Sequence, residues 1–134
     1  MNENEVKVLK VLKDFEQYVE DHSLYLQEIE NLIAINRPDY ERATRLLRRI
    51  RRVRKSLIQG AMIIMENISQ VSNPKVKEES IGIVSYLSTV GFRDERELLI
   101  NLNDVMKKSG QDLGINEDIQ QLNEAMSSLS KLSF

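Results

Sequence analysis

Between Val8 and Ile33 the side chains Val8, Leu12, Phe15, Val19, His22, Leu26, Ile29 and Ile33 recur at alternating intervals of four and three. Such a series keeps one face of an α-helix turned to a core and cannot do so for a strand, whose side chains alternate with a period of two. Val11, Tyr18, Tyr25 and Leu32 repeat every seven residues beside this seam and widen it enough to meet two neighbours. A helix over Glu3 to Ile35 follows. It would be about 50 Å long at 1.5 Å per residue, more than the roughly 35 Å width of a globule of this size, so an elongated molecule is expected.

Asn36-Arg37-Pro38-Asp39 interrupts the pattern. Asn tolerates a left-handed turn, Pro38 suits a first helical turn, and Asp39 and Glu41 favour the positive helix end. So short a turn predicts an antiparallel hairpin over residues 3–71. The second helix would place Ala43, Leu46, Leu47, Ile50, Val53, Leu57, Ala61, Ile64, Ile68 and Val71 on one side, with Gly60 marking a bend or a close helix contact.

Three shorter helices are expected over residues 73–134. Ser72-Asn73-Pro74 opens the third, which turns Val76, Ile83, Val84 and Leu87 inward and stops at Gly91, with Phe92 as the apolar contact of a Schellman turn. Asp94 and Glu97 resemble a capping box for the fourth, whose Leu98, Leu99, Leu102, Val105 and Met106 lead to an end at Gly110. Asn116 would cap the fifth, with Ile119, Leu122, Met126, Leu129 and Leu132 inward. The whole reads as one all-α domain of 134 residues, an elongated helical bundle with no strand.

Composition narrows the chemistry. The chain has no Cys and one His, which removes disulfides, thiol chemistry and Cys/His zinc sites. His22 sits on a core seam next to Asp21, which points elsewhere, and lacks the Glu three residues before it that a di-iron helix needs. It reads as a hydrogen-bonded packing residue. No Gly-rich phosphate loop and no nucleophile elbow occurs. No catalytic residue, metal or cofactor is expected, and the chain reads as a non-enzyme. The acidic start Met1-Asn2-Glu3-Asn4-Glu5 does not look like a secretory signal, and the longest uncharged run, Ser56 to Met65, is too short to span a bilayer. A cytoplasmic protein, peripheral to a membrane at most, is the expectation.

The most informative feature is charge. Residues 37–55 hold nine Arg and Lys against Asp39 and Glu41, while the chain as a whole carries −2. With Ile50 at the centre of the apolar face, Arg45, Arg48, Arg51, Arg52 and Lys55 fall on the opposite half, Arg42 and Arg49 on one flank, and Arg54 nearer the core edge. No acid lies between Arg42 and Lys55, so the i, i+4 pairing that usually neutralises a solvated face is missing. The excess of Arg over Lys suits bidentate recognition of phosphate or carboxylate. An acidic membrane, a nucleic-acid backbone read without sequence preference, or an acidic protein surface, including another copy of the chain, could take this face. A merely solvated face is the bland alternative.

The stretch Asp39-Tyr40-Glu41-Arg42-Ala43-Thr44, followed by Ile50, Val53, Arg54 and Lys55, resembles the start of the second helix in the ESCRT-III family, above all its archaeal cell-division branch. Leu122, Met126, Leu129 and Lys131 resemble the C-terminal motif that such proteins offer to a Vps4-type ATPase. The resemblance implies a self-assembling filament subunit that lies on anionic membrane through its basic helix, with its own copies and that ATPase as partners.

Overall fold

In the computed structural model, which describes residues 2–35 and 39–132, 88% of the described residues are helical and no strand occurs among them. Helix α1 spans Glu3–Ile35 and α2 spans Tyr40–Asn67, the latter running on into a 3-10 turn over Ile68–Gln70. Asp39 caps α2 by accepting the Arg42 N–H at 3.1 Å. The expected turn at Asn36-Arg37-Pro38 lies outside the described residues.

Helices α1 and α2 run in opposite directions side by side. At one end the Asn2 side-chain amide donates to the Gln70 carbonyl at 2.9 Å, and further along Phe15 and Val11 lie against Gly60. A Cβ at position 60 would overlap the Phe15 ring, so Gly60 marks a close helix contact. Seam residues Val8, Phe15 and Ile29 are fully or almost fully buried, as are Leu46, Ile50, Leu57, Ala61 and Ile64 from α2. Helix α1 also meets a second neighbour, α4, as the wide stripe demands: Val11 of the flank lies against α2, whereas His22 of the seam reaches Glu95 in α4.

The second half departs from expectation at Gly91. Helix α3, Pro74–Tyr86, is capped by Asn73, whose Oδ1 accepts the Lys75 and Val76 N–H groups at 2.9 and 3.4 Å. It does not stop at Gly91. The backbone widens into a π-helical turn over Leu87–Gly91 and passes directly into α4, Phe92–Lys107. Gly91 keeps right-handed helical angles, so no Schellman turn forms there; Phe92 enters the core as the first residue of α4, and Asp94 and Glu97 cap nothing. The hydroxyls of Ser88 and Thr89 both donate to the Ser85 carbonyl, at 3.1 and 2.7 Å. Side-chain competition for a helical carbonyl at the entry to the widened turn is the local cause available.

A Schellman motif does close α4. The Gln111 N–H reaches the Met106 carbonyl at 3.1 Å and the Gly110 N–H the Lys107 carbonyl at 2.9 Å, with Gly110 at φ +80°. Within the following link, the Asn103 side chain accepts the Leu113 N–H at 2.9 Å, and Leu113 and Ile115 are buried. Helix α5, Asn116–Leu129, begins after Ile115, so Asn116 is its first helical residue and not its cap. Instead of three short helices, the second half therefore holds one continuous helical run, α3 through the π-helical turn into α4, and α5. Helix α5 packs on both α2 and α4, and the buried apolar side chains of all these elements form one connected core.

Candidate functional site: the two arginine faces of the second helix

Helix α2 sorts its arginines by direction. At about 100° per residue, Arg45, Arg48, Arg52 and Lys55 cluster around the line opposite Ile50, and all four are exposed. Arg49 is exposed and Arg42 half-buried on the flank. Among the described residues none of these six lies within ion-pair distance of a carboxylate. From Arg45 to Lys55 the row is about 15 Å long at helical rise.

Arg51 differs from the expectation that placed it in that row. Its side chain bends toward α5 and grips Asp118 with two bonds, Nε to Oδ1 at 2.9 Å and Nη2 to Oδ2 at 2.7 Å. Asp118 is 4% exposed and Arg51 remains 41% exposed. Burial pushes the Asp118 carboxyl up, but the hydrogen bonds and charges of Arg51 and Arg54 outweigh it and hold the group below the usual carboxylate range. Its bond to Asp118 raises the Arg51 guanidinium against the opposing effect of burial.

Arg54 goes all the way in. It is 1% exposed, although its place on the wheel suggested only the core edge. Its Nε donates to Glu95 Oε2 at 2.6 Å, and its Nη1 reaches Gln121 Oε1 and Asp118 Oδ1, both at 2.8 Å. Nη2 is buried and has no protein partner. The other Glu95 oxygen accepts the Nε2 N–H of His22 at 2.8 Å, and the imidazole stands edge-on to Phe92 with ring centroids 6.2 Å apart. One chain of charge-assisted bonds thus joins α1, α4, α2 and α5 through His22, Glu95, Arg54, Asp118 and Arg51. Two guanidinium groups offset two carboxylates inside a core where a lone charge would be costly. The His22–Glu95 pair is closed to a substrate, since the two side chains are 2% and 0% exposed.

Sequence reading overlooked Glu95 and Asp118, and a signal for both existed. Glu95 lies four, seven and eleven residues before Leu99, Leu102 and Met106, and Asp118 lies four, seven and eleven before Leu122, Ala125 and Leu129. Each acid continues an apolar stripe, where a charge survives only with a partner. Glu5 is a third case: it is 2% exposed and accepts the Asn73 N–H at 2.8 Å, tying the start of α1 to the start of α3.

The C-terminal motif residues are spread over different environments. Leu122 and Leu129 are buried in the core, Met126 is half-buried and Lys131 is exposed. In this conformation the two leucines are enclosed in the core and are not displayed to a partner helix. Comparison with protein-family models, with curated proteins and with solved structures gives no match.

Proposed function

We propose that this chain is a non-catalytic helical protein that binds an anionic surface, in the first place an acidic membrane, through the outward row Arg45, Arg48, Arg49, Arg52 and Lys55, with Arg42 at its flank. The observation that carries the reading is the division of α2 itself. The arginines that point inward are each matched to a buried carboxylate, whereas the outward cations have no such partner among the described residues. Unrelieved repulsion along one helix face is offset when that face meets phosphates. Each cation near an acidic bilayer contributes only about 1 kcal/mol, so a single copy binds weakly and side-by-side copies add avidity. An elongated, self-assembling subunit built on the α1–α2 hairpin, similar to those of the ESCRT-III family, fits that requirement. Engagement of a Vps4-type ATPase through Leu122, Met126, Leu129 and Lys131 would in addition need α5 to leave the bundle, because Leu122 and Leu129 are buried.

Co-sedimentation with vesicles of phosphatidylglycerol and phosphatidylcholine, with electron microscopy of the pellet, tests the reading. The wild type is expected to bind in a salt-sensitive way that is cooperative in protein concentration, and the variant with Arg45, Arg48, Arg52 and Lys55 changed to Gln is expected not to bind. Equal binding by the two would make the face merely solvated. The Arg-rich row also favours a second reading, a nucleic-acid backbone. Tighter binding to duplex DNA than to vesicles, with a log–log salt slope of about −4, would put that reading first.

A further inference from the structure

We infer that the outward face of α2 is a two-part lipid face, in which Met62 and Ile63 form an apolar foot that enters the acyl region while the arginine row holds headgroup phosphates; this rests on the membrane reading above and names what that membrane must offer. Met62 and Ile63 are 38% and 37% exposed, although the core-facing side of the same helix is saturated with buried aliphatic residues. On the helical wheel they straddle the line marked by Arg48 and Arg52, two to three turns further along the same face. Between Lys55 and Met62 this line carries only Gln59, so cation gives way to apolar surface with no intervening carboxylate. Glu66 follows one turn beyond Ile63 on the same face of α2 and Glu124 of α5 borders Met62, while across a shallow groove from Ile63 lie Lys7, Lys10 and Asp14 of α1, so the two lysines offset part of the acid beside the foot.

The order of groups matters for the choice of partner. A nucleic-acid backbone rewards the cations and gives nothing to a methionine and an isoleucine held on the same line. A bilayer rewards both, since an amphipathic helix lying in the interface gains from apolar area buried and from attraction to anionic lipid. No helix among the described residues is long and apolar enough to cross a membrane. Binding of this kind is therefore parallel to the surface, with α2 as the contact edge and the core left intact behind it.

The chain has no Trp, so Met62→Trp in the otherwise native protein gives a single reporter. On vesicles of phosphatidylglycerol and phosphatidylcholine its emission should shift to the blue, become protected from an aqueous quencher and be quenched by brominated acyl chains. On a short DNA duplex none of these changes should occur. The variant Met62→Gln with Ile63→Gln should keep native helicity and bind the same vesicles about tenfold more weakly. Ile100→Gln removes an apolar side chain of similar exposure from α4 and should leave binding unchanged. If the wild type binds vesicles but the Trp stays open to the aqueous quencher, or if Ile100→Gln weakens binding as much as the double variant, the foot is refuted and the cationic reading stands. If the wild type prefers the duplex or binds neither, both fall.

Discussion

Arg48 and Arg51 are three residues apart on one helix, yet Arg48 is exposed with no carboxylate in reach among the described residues and Arg51 clasps Asp118 from α5. Three residues further on, Arg54 is enclosed by Glu95, Asp118 and Gln121. The local sequence treats these arginines alike. What separates them is angle: successive steps of about 300° swing the side chain from open water to the edge of α5 and then into the space between α4 and α5. The same residue type stands free in solvent on one side of the helix, where the proposed anionic surface would meet it, and ties distant segments together on the other.

Removing the innermost member tests this contrast most severely. Arg54→Leu leaves the Glu95 and Asp118 carboxylates buried without their shared cation and should cost about 3–5 kcal/mol, read as a fall in the denaturant midpoint. Adding Glu95→Leu should recover part of that loss, because the pair removed together leaves less uncompensated charge. A strictly additive double variant would show that Arg54 and Glu95 do not act as a unit.

Asp118→Asn probes the border between the two faces and should have a smaller effect, since Asp118 is shared with the part-exposed Arg51. Its carboxyl is held below the ordinary value of about 4, so its contribution is complete above that pH and is withdrawn as pH falls through the lowered folded value. The wild type should therefore lose stability on acidification. Asp118→Asn, less stable at neutral pH, should show a shallower loss below about pH 4, measured by thermal unfolding across that range. Parallel pH profiles for the two proteins would contradict the assignment.

The outward row should give the smallest effect on the fold. Replacing Arg45, Arg48, Arg52 and Lys55 by Gln is expected to change unfolding free energy by no more than about 0.5 kcal/mol per site, as these side chains point to solvent and Gln is a comparable helix former. A fall as large as that of Arg54→Leu would mean that the outward row also holds the bundle together.

Much of the architecture was legible in apolar spacing. The limits of α1, the buried side of α2, the Asn73 start of α3 and the end of α4 at Gly110 all follow from period, capping chemistry and the left-handed preference of glycine. Gly91 was misleading because a glycine before an acidic stretch suits a helix stop as well as a helix that continues, and only the packing of Leu87, Phe92 and Glu95 around one core favours continuation.

For the candidate site the division is equally physical. A single chain of letters determines that α2 is aliphatic on one side and cationic on the other, since side-chain direction on a helix follows from residue number alone. It also marks His22, Arg54, Glu95 and Asp118 as polar groups on apolar stripes. Which of them meet was decided only in the tertiary structure: Glu95 is 73 residues from His22 and 41 from Arg54. A pairing between distant segments depends on the crossing and rotation of whole helices, and periodicity within one helix carries no information about either.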